Sequence, residues 1–139
     1  MFVQSIQPRF AETDALGHIN NAVLPVWFEQ ARTPIFKLFI PKLDVNKWTL
    51  ILARIEVEFV QEIFYGTDAE IRTFIEKIGT SSFVCYQEAW QSEKLVAKGR
   101  AVMVHFNHTS KKSMPIPELI KEQLSEHFVP NSEVKSTVN

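Results

Sequence analysis

The twenty residues from Thr13 to Arg32, TDALGHINNAVLPVWFEQAR, place an acid, a glycine and a polar cluster directly ahead of an apolar helix. Asp14, Gly17, His18, Asn20 and Asn21 read as a single tight turn, with Asn21 or a close neighbour capping the helix that carries Trp27 and Phe28. The first amides of a helix have no intrahelical acceptor and lie at the positive end of its dipole, so a negative charge forming there is stabilised. A carboxylate beside such an anion hole is a hydrolase layout.

The same stretch sets the fold. From Ala22 onward, Val23, Val26, Trp27, Gln30, Ala31, Ile35 and Leu38 recur at steps of three and four, which predicts a helix with one face buried against a sheet. Pro25 fits only its first turn. Pro34 lacks a backbone donor and predicts either a kink or a restart with Thr33 as a second cap. Upstream, Phe2 to Phe10 reads as a strand whose end Pro8 pushes to a sheet edge. Downstream of the Pro41–Trp48 connection, Ile55, Val57 and Phe59 alternate with Arg54, Glu56 and Glu58, the period of a strand with one wet face.

Three more strands follow, Asp68 to Ile78, Ser82 to Trp90 and Leu95 to Phe106. The turns Gly79-Thr80-Ser81 and Ser92-Glu93-Lys94 between them are short enough for antiparallel neighbours. Ala97, Gly99, Ala101 and Met103 share one face of the last strand, where small side chains let a helix lie close. Pro115 to Phe128 reads as a short amphipathic helix. Residues 1–129 then form one domain and residues 130–139 a polar tail. The order predicts an α+β domain, an antiparallel sheet of about five strands wrapped around one long central helix. A sheet of this kind covers only one of its faces, so a homodimer or homotetramer is expected.

Composition narrows the partners. The 139 residues are 45% hydrophobic, enough for a substantial core, and the formal net charge of −1 gives no electrostatic basis for binding nucleic acid. Cys85 is the single cysteine, which rules out an internal disulfide, fits a reducing compartment and leaves zinc chemistry unsupported. The opening MFVQSIQPRF lacks the apolar run of a signal peptide, and no stretch approaches the roughly 20 apolar residues of a membrane span, so the expectation is a cytoplasmic protein without a membrane partner.

The segment from Asp14 to Arg32 resembles the hotdog-fold acyl-CoA thioesterases, in the branch of the 4-hydroxybenzoyl-CoA thioesterases and their broader acyl-CoA relatives. Asp14, Gly17, His18-Ile19-Asn20-Asn21 and Phe28-Glu29-Gln30-Ala31-Arg32 match that pattern in order and spacing, and the strand pattern extends the resemblance to about Phe106. The resemblance implies hydrolysis of an acyl-CoA thioester to a free acid and CoA. Asp14 falls on the catalytic acid, acting as nucleophile through a mixed anhydride or as the base that activates water. The backbone N–H of Asn21 falls on the oxyanion donor. Gly17 permits the close turn between them. The family also implies sites shared across a dimer interface, with coenzyme A crossing onto the other subunit and no separate cofactor or metal.

Two departures matter. Some relatives have a histidine where this chain has Asn21, and a frequently aromatic position is Leu24 here, which suggests a different acyl pocket. His18 and Asn20 read as wall and cap residues of the substrate site, and Ser81 and Ser82 as contacts for pantetheine or phosphate.

Each residue also has a plainer reading. Asp14 can serve as a turn residue accepting backbone amides, and Glu29 with Arg32 as a helical ion pair, Glu29 being the reserve acid. Lys98 and Arg100 can hold CoA phosphates or simply line a solvated strand face. Two other functions belong to the same fold: a non-catalytic acyl-CoA binding module, and an acyl-thioester hydratase or dehydratase, which needs a histidine with an acid partner at the acyl chain, a motif this helix does not carry.

Overall fold

The computed structural model of the chain describes residues 1–130, so nearly all of the polar tail lies outside the described residues. Five long strands make one antiparallel sheet: β1 (Phe2–Ile6), β2 (Leu50–Phe59), β3 (Ala69–Ile78), β4 (Ser82–Gln91) and β5 (Lys94–Asn107). The spatial order is β1-β3-β4-β5-β2, and a two-residue β6 (Lys112–Ser113) adds to the far end of β5. The helices are α1 (Leu24–Ala31), α2 (Thr33–Phe39) and α3 (Glu118–Ser125).

The strands follow the expected boundaries closely, because period-two burial and tight turns coincide in this part of the chain. The turn at Ser92 and Glu93 puts both residues at positive φ, 48° and 64°, the twist that a two-residue hairpin requires. β1 stops at Ile6, short of Pro8, and lies at one edge. Beyond Thr73 its place beside β3 passes to the chain after α3: Ile75 N–H donates to His127 O at 2.8 Å and Val129 N–H to Ile75 O at 3.0 Å.

The expected single long helix is divided. Pro34 cannot donate to the carbonyl of Gln30, so α1 ends at Ala31 and α2 begins at Thr33, with Arg32 rather than Thr33 in the capping position between them. The buried stripe also differs from the expected one. Leu24, Trp27, Phe28, Ala31 and Ile35 are buried, whereas Val26 is 55% exposed and Gln30 faces outward. Both stripes have helical spacing, and the observed one gathers the larger apolar area against the sheet.

The small-residue face of β5 is where α1 approaches. A Cβ placed on Gly99 would lie 2.6 Å from the carbonyl oxygen of Glu56 and 3.1 Å from Cε2 of Phe28. Ala97 and Ala101 flank it, each 1% exposed or less. One apolar cluster under α1 joins Leu24, Trp27 and Phe28 to Ile71, Ala89 and Ala97. Another, under α2 and α3, joins Ile35 and Leu124 to Phe83, Cys85 and Met103. Burial pushes the Cys85 thiol up to about 12, so it stays protonated in the folded chain.

On the far edge, β2 pairs only with β5 among the described residues, and its register shifts between Leu52 and Arg54, leaving Ala53 as an extra residue. Leu52, Ile55, Val57 and Phe59 all sit opposite concave-facing residues of β5. Leu52, Ile55 and Phe59 are nevertheless 41%, 45% and 45% exposed, an apolar strip that the helices among the described residues do not cover. Its convex face carries charge: Arg54 pairs with Glu56 at 2.6 Å and Glu58 with Lys98 at 3.6 Å.

Gly99→Ala has no room in this packing, since the nearest atom is backbone. It is expected to lower stability by about 1–3 kcal/mol in chemical denaturation, the range for overpacking a tight core.

Candidate active site

The chain from Thr13 to Ile19 folds back on itself. Asp14 N–H donates to His18 O at 2.7 Å, Ile19 N–H to Ile63 O at 2.7 Å and Asn20 N–H to Glu12 O at 2.8 Å. Gly17 holds φ at +80°, a conformation open chiefly to glycine. No atom lies within 4 Å of where its Cβ would be, so the backbone angle rather than a clash accounts for the glycine.

Within this loop, the Asp14 carboxylate divides its two oxygens. Oδ1 accepts from Leu16 N–H at 2.7 Å and from His18 N–H at 3.1 Å. This is the plainer turn-capping role, and it occupies one oxygen only. Oδ2 accepts no hydrogen bond among the described residues, and Asp14 lines a cavity of about 400 Å³.

Asn20 is the cap. Its Oδ1 accepts from Ala22 N–H at 2.9 Å and its backbone carbonyl from Val23 N–H at 3.0 Å, closing a 3-10 turn over Asn21–Val23 that leads into α1. The helix start is therefore a 3-10 turn. The N–H of Asn21, at its head, has no acceptor among the described residues, and Asn21 lines the cavity with Asp14.

Another wall comes from the last residue of β2 and the segment after it, Phe59 to Ile63, which sequence reasoning missed as part of the site. Its signal was the end of the strand's alternation at Val60-Gln61-Glu62, which looks like any strand exit. Gln91, 5% exposed on β4, holds the turn behind this wall: its side-chain amide donates to Phe64 O and Thr67 O and accepts from Phe64 N–H, each at 2.9 Å. His18 enters the cavity with a partner, Nε2 lying 3.6 Å from Glu62 Oε2, and its ring stands edge-on to Phe64 at 5.1 Å.

The other residues singled out from the sequence lie elsewhere. Leu24 is wholly buried in the core beneath α1 and does not line the cavity. Ser81 and Ser82 occupy the β3–β4 hairpin, where Ser81 O accepts from His105 N–H and Ser82 O from Gly79 N–H, both at 2.7 Å; neither lines the cavity. Arg32 is 3% exposed and donates from Nη1 to Gln87 Oε1 at 3.1 Å instead of pairing directly with Glu29. Lys98 and Arg100 are paired with carboxylates, Arg100 with Glu76 at 2.9 Å.

Glu12 anchors the loop from below. Its carboxylate is 6% exposed and accepts from Arg9 N–H at 2.7 Å, Trp27 Nε1 at 3.0 Å and Arg9 Nη2 at 3.4 Å. Burial pushes its pKa up, but the hydrogen bonds from the Arg9 backbone, Trp27 and the Arg9 side chain outweigh that, and the net direction is down. Among the described residues no group of three or more His, Cys, Asp or Glu side chains could hold a metal ion, and no helix is long and apolar enough to cross a membrane.

A single antiparallel sheet curled around two consecutive helices is the hotdog architecture of the thioesterases. The family model of the thioesterase-like superfamily matches residues 8–124, and the chain belongs to that superfamily. The structure of a predicted thioesterase from Bacillus stearothermophilus superposes with a TM-score of 0.89 at 44% identity, covering 92% of this chain and 96% of that one. A thioesterase from Thermus thermophilus, complexed with coenzyme A and Zn, is 28% identical with a TM-score of 0.78, covering 88% and 95%. The uncharacterized protein YsmA of Bacillus subtilis (strain 168) is 27% identical over 126 residues, 88% of this chain and 84% of that one.

The depressed Glu12 pKa fixes a sign. A carboxylate lowered in the folded state contributes stability that is complete above the ordinary glutamate range and is lost as pH falls through the folded value. Glu12→Gln is expected to be less stable than the parent by about 1–3 kcal/mol at neutral pH. In denaturation followed against pH, the gap should close on acidification below the ordinary glutamate range.

Proposed function

We propose that this chain is an acyl-CoA thioesterase, hydrolysing an acyl-CoA thioester to a free carboxylic acid and CoA, with residues 1–129 as its catalytic domain. The observation that carries the reading is the pairing of Asp14 with Asn21 on one cavity. One carboxylate oxygen is tied down by two amides, the other accepts no hydrogen bond among the described residues, and Asp14 lines the cavity together with Asn21, whose backbone N–H has no acceptor among them.

In the water route, Asp14 takes a proton from a water molecule whose oxygen attacks the thioester carbonyl carbon. The carbonyl oxygen gains the negative charge and accepts from Asn21 N–H. The C–S bond then breaks, the thiolate leaves with the electron pair, and the proton held on Asp14 returns to sulfur. In the anhydride route, Asp14 Oδ2 attacks the same carbon, the thiolate leaves and takes a proton from solvent, and water cleaves the mixed anhydride to the acid and free Asp14. The two amides on Oδ1 hold the carboxylate in place for either route.

Coenzyme A as the acyl donor is supported by the bound coenzyme A of the Thermus thermophilus relative. A homodimer is supported by the uncovered strip on β2, whose unpaired edge and apolar concave face require a cover.

One observation favours a second reading. His18 and Glu62 form a histidine–acid pair within the same cavity, the type of pair that hydration of an enoyl thioester requires. Comparing enoyl-CoA hydration with thioester hydrolysis separates the two.

Asp14→Asn is expected to fold normally and to lose at least 100-fold in kcat/KM across a panel of acyl-CoA esters read by free-thiol release. Retained turnover refutes the assignment. Single-turnover hydrolysis in heavy-oxygen water distinguishes the routes, since label enters Asp14 only through the anhydride.

The donor at position 21 is a backbone group, so two substitutions there should part company. Asn21→Ala keeps the N–H and should stay within a few-fold of the parent. Asn21→Pro removes the N–H at a first-turn position that tolerates proline, and should lose about 100-fold or more in kcat. Equal rates for the two variants would rule the amide out.

A further inference from the structure

Gln91, 5% exposed at the end of β4, commits its whole side-chain amide to the main chain of another segment. Its Oε1 accepts from Phe64 N–H, and its Nε2 donates to Phe64 O and Thr67 O, each at 2.9 Å. Both amide protons are used. A donor and an acceptor presented together to one residue are what a neighbouring strand offers. The side chain of Gln91 stands in for a strand beside Phe64.

On its other side, the same short run faces the loop of Asp14. Ile19 N–H donates to Ile63 O at 2.7 Å and Tyr65 N–H to Gly17 O at 3.2 Å, with Phe64 opposite His18. Residues 63–65 are thus gripped on both edges, by Gln91 on one and by the acid loop on the other. Upstream, Val60 N–H and Gln61 N–H both donate to Val96 O, at 2.9 Å and 3.1 Å, a bulge at which the chain turns away from β5. From there to β3 the chain lies in none of the long strands. Gln91 supplies the second anchor to the sheet.

A purely local role, satisfying the turn at residues 64–67, needs these three bonds and nothing beyond them. The bonds from Ile63 and Tyr65 carry the restraint further, to Gly17 and Ile19 on either side of His18. His18 N–H caps Asp14 Oδ1 at 3.1 Å, and Asp14 N–H donates to His18 O at 2.7 Å. The acid is therefore two hydrogen-bonded steps from a glutamine on the far side of the wall.

We propose that Gln91 is a positioning residue for the reaction at Asp14. By fixing residues 63–65 on β4 it sets where the acid loop stands relative to the helix start, without itself meeting the substrate cavity. Misplacing the acid weakens the transition state more than substrate binding, so the loss should fall on kcat. That consequence rests on the thioesterase reading; the placement of the loop does not.

Two variants of the full chain test this. Gln91→Met removes the amide and keeps the reach of the side chain. It should lower kcat for acyl-CoA hydrolysis by about tenfold or more with KM within about threefold of the parent. Site-resolved hydrogen exchange should speed up about tenfold or more at Ile19 and Tyr65, and stay at the parent's rate at Ile75 and Val129, whose amides are bonded between β3 and the chain after α3. Gln91→Glu keeps the shape, and carries both readouts should Gln91→Met fail to fold. Its neutral carboxyl accepts from Phe64 N–H and donates to one carbonyl, whereas the ionised form sets a charge against two carbonyl oxygens. Burial holds such a carboxyl above the ordinary glutamate range, so kcat relative to the parent should fall about tenfold as pH rises from about 5 to about 8.

Unchanged exchange at Ile19 and Tyr65, acceleration shared equally by Ile75 and Val129, a loss confined to KM, or a kcat equal to the parent's overturns the proposal. So does a rate ratio for Gln91→Glu that is flat with pH. The exchange pattern needs no turnover. A parent that shows it, yet releases no thiol from any acyl-CoA ester, would sink the thioesterase reading and leave the placement of the loop standing.

Discussion

The distance between α1 and β5 is the constraint from which the remaining geometry follows. The ring of Phe28 and the carbonyl of Glu56 press in on the site where Gly99 has no side chain, and only that gap lets the helix settle into the concave face. Asn21 stands seven residues, about two helical turns, ahead of Phe28. Raising α1 off the sheet would carry Asn21 away from the loop of Asp14, which is tied separately to Glu12 and Ile63. The relative position of acid and amide thus depends on a contact that touches neither.

Apolar packing sets how deep the helix lies but not how it is turned, and polar anchors settle the rotation. Trp27 Nε1 reaches Glu12 on one side, and the Arg32–Gln87–Thr73 chain holds the junction on the other. These bonds are buried and directional, so rotating the helix by one residue would leave their partners unmatched. This explains why Leu24 and Phe28 are inside while Val26 and Gln30, equally well spaced, are outside.

The strands were legible because alternation, turn residues and length agree with one another from Asp68 to Phe106. The break at Pro34 was legible from the missing donor alone, although the capping position fell one residue earlier. The loop at Asp14 declared itself through Gly17 and the asparagines, all residue types with strong local preferences. What escaped was non-local. The Phe59 to Ile63 wall becomes part of the site only because Ile19 donates across to Ile63, and Glu62 meets His18 only through that contact. The role of Arg32 was misread for the same reason. Its neighbour three residues back in sequence was visible, and Gln87, fifty-five residues away, was not.

The register shift at Ala53 has a meaning for how the edge strand can vary. Leu50 and Leu52 lie on one side of the extra residue, and Ile55, Val57 and Phe59 on the other, with a phase difference of one that brings both groups to the concave face. With strict alternation from Leu50 onward, Arg54, Glu56 and Glu58 would occupy the concave positions and the three apolar residues would face out. Ala53 itself is exposed, and its identity is of little consequence there. Its presence is what counts: at this point the strand is open to substitution and closed to deletion.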